Sequence, residues 1–151
     1  MIKIITVGSI KEKYLKDAIE EYSKRLSKYT NLEIIEVKDE GLLEPEKAKE
    51  VEGEKIKKHI SPRDYIITME IEGNQLTSEE FAKKIENTLI TNSNITFIIG
   101  GSYGISNEIK GMSNYKLSFS KMTFPHQLFR VNLLEQIYRA YKINNNESYH
   151  K

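Results

Sequence analysis

The chain contains no cysteine, and this absence excludes several kinds of chemistry. A protein without cysteine forms no disulfide, carries no thiolate nucleophile and holds no cysteine-ligated metal. It also lacks any run approaching the roughly 18 apolar residues that a membrane-spanning helix needs. The apolar start, residues 1–8, is too short for a secretory leader. We therefore expect a cytoplasmic protein with no membrane association, folded as a single domain over residues 1–151.

Histidine is scarce as well, and its placement argues against a metal centre. His59, His126 and His150 show no metal-ligand spacing with one another or with carboxylates. His126 follows Pro125 at a predicted helix start, where capping or packing is its ordinary role. No metal site is predicted.

Charge is nearly balanced overall but unevenly distributed. The formal net charge is +1, whereas residues 101–151 hold seven Lys and Arg against three Asp and Glu. A protein that coats long nucleic acid is usually far more basic than this. The basic last third is compatible with ordinary surface variation and with an anionic ligand.

Apolar, β-branched runs alternate with helical patterns at intervals of about thirty residues. This alternation predicts βαβ units, and hence a mostly parallel sheet flanked by helices in an α/β fold. The predicted strands are 2–7, 32–37, 65–71, 95–99 and 116–119. The predicted helices are 12–29, 44–60, one capped by Thr77, 107–112, and one from Pro125 or His126 to Ile143.

Two of these helices carry unusual patterns. The helix at 44–60 has a thin apolar stripe interrupted by Gly53, so we expect it to be exposed and mobile. The last helix is apolar on two faces, one represented by Leu134 and Tyr138 and the other by Leu133 and Ile137. The sheet covers one face, and either a second subunit or a neighbouring helix covers the other. We favour a second subunit.

A glycine-rich loop, Gly100–Gly104, follows the fourth predicted strand. Such a loop is a simple turn, or it lets the backbone approach a ligand, and it matches neither the dinucleotide fingerprint nor a P-loop. Ligands of open α/β sheets bind beyond the carboxyl ends of the strands. The segments 69–73, 100–104 and 119–124 are therefore expected to form one pocket, and a side chain added at Gly101 is expected to displace its ligand.

The C-terminal segment ends in Tyr149-His150-Lys151 after an asparagine-rich stretch. By spacing alone it reads as a solvated tail with little apolar surface. Arg130 and Arg139, near opposite ends of the last helix, read as surface charges.

Taken together, motifs along nearly the whole chain resemble one known family. They include the opening Ile-Thr-Val-Gly, Ile98–Gly101, Leu117–His126, the Arg130-Val131 and Glu135–Ala140 segments, and the terminal Tyr149-His150. The chain resembles the ribosomal RNA large subunit methyltransferase H family of SPOUT-class enzymes.

The resemblance implies a fold and an activity that spacing does not show. It implies an α/β sheet whose C-terminal part forms a trefoil knot, although threaded chains are rare. It also implies a homodimer that uses S-adenosyl-L-methionine. The implied reaction methylates N3 of a pseudouridine in a stem-loop of large-subunit (23S) ribosomal RNA, on assembled ribosomes.

By the same resemblance, two groups of residues receive roles. The methyl-donor pocket is lined by Met69, Gly101, Phe119, Ser120, Lys121, Met122, Thr123 and Phe124. His150 is the candidate base or proton relay, Tyr149 positions or stacks on the target base, and Arg139 contacts phosphate or anchors the tail. Two alternatives remain: a SPOUT enzyme acting on transfer RNA, and a non-catalytic RNA- or nucleotide-binding module.

Overall fold

Five parallel strands form one sheet in the structure, a computed structural model that describes residues 1–151. Their order across the sheet is β2-β1-β4-β3-β5, and every neighbouring pair is parallel. The strands are β1 (Ile2–Val7), β2 (Leu32–Val37), β3 (Asp64–Asn74), β4 (Asn94–Ile99) and β5 (Tyr115–Leu117). The predicted parallel α/β sheet is confirmed.

Helices cover both faces of this sheet. They are α1 (Lys13–Leu26), α2 (Pro45–Lys57), α3 (Ser78–Thr91), α4 (Asn107–Met112) and α5 (His126–Asn144). The larger apolar core joins the sheet to α1, α3 and α5, and a smaller one joins it to α2 and α4. None of the five has the length and hydropathy of a membrane-spanning helix.

The start of α3 follows directly from its sequence. The Thr77 hydroxyl accepts a hydrogen bond from the Glu80 N–H at 3.1 Å, and the Thr77 N–H donates to Glu80 Oε1 at 2.8 Å. This reciprocal pair is the predicted capping box, and it satisfies two backbone donors at the helix terminus.

The expectation that α2 is exposed holds for only one side of the helix. Ala48 and Ile56 are buried in this helix. A Cβ at Gly53 would lie 2.6 Å from the Ser106 hydroxyl oxygen. The glycine that interrupts the apolar stripe therefore lets α2 lie close to the start of α4. A hydropathy pattern does not reveal this packing, because it depends on the missing side chain of Gly53.

The two apolar faces of α5 are covered within the chain. Leu133, Leu134, Ile137 and Tyr138 are all buried. The helix packs against both α1 and α3 while lying on the sheet. A central helix with a neighbour on each flank must be apolar on more than one side, so this pattern does not require the second subunit that we favoured from it.

The C-terminal segment is exposed over residues 145–148, but Tyr149 and His150 are partly buried against the domain. Asn146 adopts a left-handed conformation with φ of 55°, two residues beyond the last residue of α5. The chain then brings the Tyr149 ring edge-on to the Tyr138 ring, with centroids 4.9 Å apart. A tail that is polar by composition therefore has an aromatic contact with the core.

Candidate functional site

The main cavity lies at the carboxyl ends of β3, β4 and β5 and has a volume of about 500 Å³. The three segments expected to form one pocket meet there. Of the residues assigned to the donor pocket by resemblance, those on its wall are Met69, Gly101, Phe119, Ser120, Met122, Thr123 and Phe124. Lys121 is exposed and does not line the cavity.

A bulge in β3 shapes one wall. Met69 and Asn74 both pair with Leu117 of β5, so the residues between them are additional to the ladder. Three of those residues, Glu70, Ile71 and Glu72, line the cavity. The strand predicted to end at residue 71 thus continues through an irregularity to Asn74, and this irregularity places polar and apolar side chains at the cavity.

The glycine loop forms a second wall and is a tight turn. The Gly104 N–H donates to the Gly101 carbonyl at 3.0 Å, and the two residues form an isolated bridge. A Cβ at Gly101 would lie 2.9 Å from a methyl carbon of Val7 and 3.2 Å from Glu52 Oε1. A side chain there would meet the chain's own atoms whether or not a ligand is bound, so its effect on a ligand stays a prediction.

The loop between β5 and α5 forms a third wall and stabilises itself. The Ser118 hydroxyl donates to the Ser120 carbonyl at 3.0 Å, and the Ser120 hydroxyl accepts from the Met122 N–H at 3.0 Å. Phe119 and Phe124 pack on Phe129 of α5, with ring centroids 5.0 and 6.2 Å apart. The apolar part of the cavity is consequently fixed by aromatic contacts to a helix.

Tyr149, His150 and Arg139 lie together in a separate cluster and do not line the cavity. The Tyr149 hydroxyl donates to Glu135 Oε2 at 2.6 Å, and the Arg139 guanidinium donates to the same carboxylate. Burial, with a smaller contribution from Glu135, raises the pKa of Tyr149 above its usual range. The phenol therefore remains protonated at neutral pH and serves as a donor.

The contacts of His150 define its tautomer. Its Nδ1 lies 3.1 Å from Arg139 Nη1, and its Nε2 lies 2.7 Å from Glu79 Oε1. A guanidinium only donates hydrogen bonds, so Nδ1 must accept and Nε2 must carry the proton given to Glu79. In this arrangement the basic lone pair of His150 is occupied by Arg139, which anchors the tail.

Known proteins match the chain over almost its whole length. A family model described as "Predicted SPOUT methyltransferase" matches residues 1–150. The chain belongs to the SPOUT methyltransferase family. Within that family it is 57% identical to the ribosomal RNA large subunit methyltransferase H of Clostridium botulinum (strain Hall), over 157 aligned positions that cover 99% of each chain.

A further relative agrees with this membership, and one solved structure shares the fold. The ribosomal RNA large subunit methyltransferase H 1 of Clostridium perfringens (strain SM101) is 56% identical over 159 positions, again covering 99% of each chain. The structure of a probable methylase family protein from Haemophilus influenzae Rd KW20 matches 99% of this chain and 70% of its own, with a TM-score of 0.53 at 16% identity. At that identity the likeness concerns the fold alone.

Two buried charged residues of this SPOUT protein were missed by sequence reasoning. Arg130, expected to be a surface charge, is only 2% exposed and binds Glu36, the Thr6 hydroxyl and the Gly8 carbonyl. It ties the start of α5 to the carboxyl ends of β1 and β2. Glu52 was not predicted to be buried, because α2 was expected to be exposed.

No group of three or more His, Asp or Glu side chains is placed to hold a metal ion. The cavity wall combines apolar side chains with polar and charged ones, among them Glu70, Lys110 and His126. That combination suits an organic ligand.

Proposed function

We propose that the chain transfers a methyl group from S-adenosyl-L-methionine to N3 of a pseudouridine in large-subunit ribosomal RNA. The chain is a large-subunit ribosomal RNA methyltransferase by its family and its full-length relatives. The cavity carries the proposal further, because it gathers seven of the eight residues assigned to the donor pocket at one edge of the sheet. The nucleotide, the atom and action on assembled ribosomes belong to the proposal.

The cavity fits such a donor. Met69, Met122 and Phe124 offer apolar surface for an adenine, and the glycine loop offers backbone hydrogen bonds at close range. When bound, the donor supplies a methyl group already activated by its sulfonium. The protein has to hold the attacking nitrogen in line with that methyl group and to remove its proton.

The tail cluster is proposed to handle that proton. His150 is the base or proton relay and is freed for this role when Arg139 turns to an RNA phosphate. Tyr149, protonated and held by Glu135, positions or stacks on the target base. Since the cluster does not line the cavity of its own chain, these roles require a partner chain or a rearrangement of the tail.

A homodimer is proposed for this reason. Three apolar side chains that line the cavity are exposed, Ile71, Met122 and Phe124, and so is Leu128, the neighbour in sequence of the cavity-lining Phe129. Exposed apolar clusters of this kind mark interaction surfaces. In the proposed dimer the tail of one subunit covers the donor cavity of the other.

The C-terminal trefoil knot also remains a prediction.

Labelled methyl transfer tests the proposal directly. The protein is incubated with labelled S-adenosyl-L-methionine and either ribosomes from a strain lacking the enzyme, isolated large-subunit RNA, or bulk transfer RNA. We expect label on one pseudouridine of the large-subunit RNA, and more with ribosomes than with free RNA. Label on transfer RNA would favour another SPOUT activity, and no transfer at all would favour a binding module.

A further inference from the structure

Glu52 is a buried carboxyl group that the fold alone does not explain. It is 3% exposed. Its Oε2 accepts a hydrogen bond from the Glu40 N–H at 2.9 Å, whereas its buried Oε1 has no partner in the chain. Burying a carboxyl group with half of its acceptors unpaired costs stability. Such a group is a candidate for a role in function.

The position of Glu52 connects it to the donor cavity. Oε1 lies 3.2 Å, and Oε2 3.5 Å, from where a Cβ of Gly101 would be. Gly101 lines the cavity, whereas Glu52 does not. The carboxyl group thus lies against the glycine loop, outside the cavity itself, where water does not screen it.

The charged groups around Glu52 leave it without a cationic partner. Asp39 and Glu40 approach it from the segment after β2, and Lys55 from its own helix. Lys55 Nζ is engaged by Glu40 Oε1. No Lys or Arg forms an ion pair with Glu52, although eleven such pairs exist elsewhere in the chain.

The other carboxylates near the cavity are expected to attract a bound cation less strongly, because their charge is paired or screened. Glu70 accepts from the Thr68 hydroxyl at 2.6 Å and has Lys110 Nζ at 3.8 Å. Glu72 is exposed, so water and salt screen its charge. Unlike these two carboxylates, Glu52 is buried against the glycine loop and has no cationic partner.

We propose that Glu52 makes the pocket prefer the cationic donor over its product, a specificity that rests on the proposed donor. Methyl transfer converts a sulfonium into an uncharged thioether, so donor and product differ by one positive charge beside the same adenosyl and amino-acid groups. A buried carboxylate attracts that charge through a medium of low dielectric. The attraction is lost as the methyl leaves, and product release becomes easier.

The same burial makes this preference depend on pH. Burial raises the pKa of Glu52, and Asp39 adds to the rise, although the Glu40 N–H and Lys55 oppose it. Glu52 is consequently neutral at low pH and gains its charge as pH rises through a pKa above 4.5. The donor-to-product affinity ratio should increase over that range. Interactions with the adenosyl and amino-acid groups, which donor and product share, cancel in this affinity ratio.

Calorimetry of both ligands tests the inference. S-adenosyl-L-methionine and S-adenosyl-L-homocysteine are titrated into the wild-type protein, Glu52→Gln and the control Glu54→Gln, an exposed carboxyl of the same helix. We expect Glu52→Gln to weaken donor binding by about three- to tenfold, the size expected for a charge interaction that acts across the glycine loop rather than in direct contact. Product binding should stay unchanged, and Glu54→Gln should behave as wild type.

Other results of these titrations would overturn the inference. An equal loss for both ligands, or none for either, overturns the inference and assigns Glu52 a packing role. The pH dependence of the ratio in the wild-type protein is a second measurement that needs no variant, and a flat ratio also overturns it. If the wild-type protein binds neither ligand, the proposed donor is wrong as well.

Discussion

A single buried carboxyl changes how stability should depend on pH. Since the pKa of Glu52 is raised in the fold, its neutral form contributes stability that is present below pH 4.5. That contribution is lost as pH rises through the folded-state pKa. We predict that Glu52→Gln, which cannot ionise, unfolds at a higher temperature than wild type at pH 7, with the difference shrinking near pH 4.5. Thermal denaturation monitored by circular dichroism at the two pH values measures it, and a variant less stable at pH 7 would contradict it.

Phe124 offers a cleaner test of the donor cavity than Gly101, where any side chain collides with Val7 and Glu52. It is exposed and stacks on Phe129, so Phe124→Ala should remove apolar wall at little cost in stability. We predict that donor affinity falls by about tenfold, equivalent to roughly 1.4 kcal/mol. Ile90→Ala, an exposed apolar residue at the far end of α3, is the calorimetric control. Equal affinities in the two variants would place the donor elsewhere.

At the scale of elements, the C-terminal segment has a structural contribution besides its proposed chemistry. Truncation after Ser148 removes the Tyr149 ring from Tyr138 and the hydrogen bond to Glu135. We predict a loss of about 2–4 kcal/mol in the free energy of unfolding, within the range for deleting a packed side chain. We therefore expect the tail to contribute to stability, which a solvated tail with little apolar surface would not do.

His150→Ala separates the two contributions, because it leaves the Tyr149 contacts in place. We predict nearly unchanged stability but methylation of ribosomes slower by at least about tenfold, a barrier increase of roughly 1.4 kcal/mol. Urea denaturation and single-turnover methyl transfer provide the two measurements. Wild-type turnover in this variant would require another proton acceptor.

Elements with a strong local signal were predictable from the sequence. Strand periodicity located β1 and β2 at their observed bounds, and Thr77 with Glu80 located the start of α3. Features that depend on a tertiary neighbour were not predictable. Gly53 reads as a helix breaker until Ser106 lies against it, and Glu52 reads as a surface charge on a helix expected to be exposed.

The same limit applies to the candidate site. The three cavity segments follow from the rule that ligands bind at strand ends. Their detailed shape depends on the β3 bulge, which no residue pattern predicted. The separation of the Tyr149 cluster from the cavity depends on how α5 and the tail pack, and only the complete fold reveals it.

At the scale of the whole molecule, the proposed dimer has to rest on the cavity mouth. Leu128 is exposed on α5 beside the cavity and does not line it. We predict that wild-type protein sediments as a dimer at micromolar concentration and that Leu128→Glu shifts it towards monomer, because the charge would be buried unpaired. Ile90→Glu is the matched control on a distant surface. A folded wild-type monomer would refute the dimer.

The separation of tail and cavity also predicts complementation between two defective chains. In a dimer with shared sites, Phe124→Ala supplies an intact tail and His150→Ala supplies an intact cavity, so a mixed dimer regains one of two sites. Differently tagged chains are co-expressed, and mixed dimers are isolated by two affinity steps. At a donor concentration below the wild-type Kd, where an affinity about tenfold weaker also slows methylation about tenfold, we predict roughly half of the wild-type rate per dimer, well above either parent variant. If tail and cavity act within one chain, both sites of the mixed dimer are defective and the rate stays at the level of the parents.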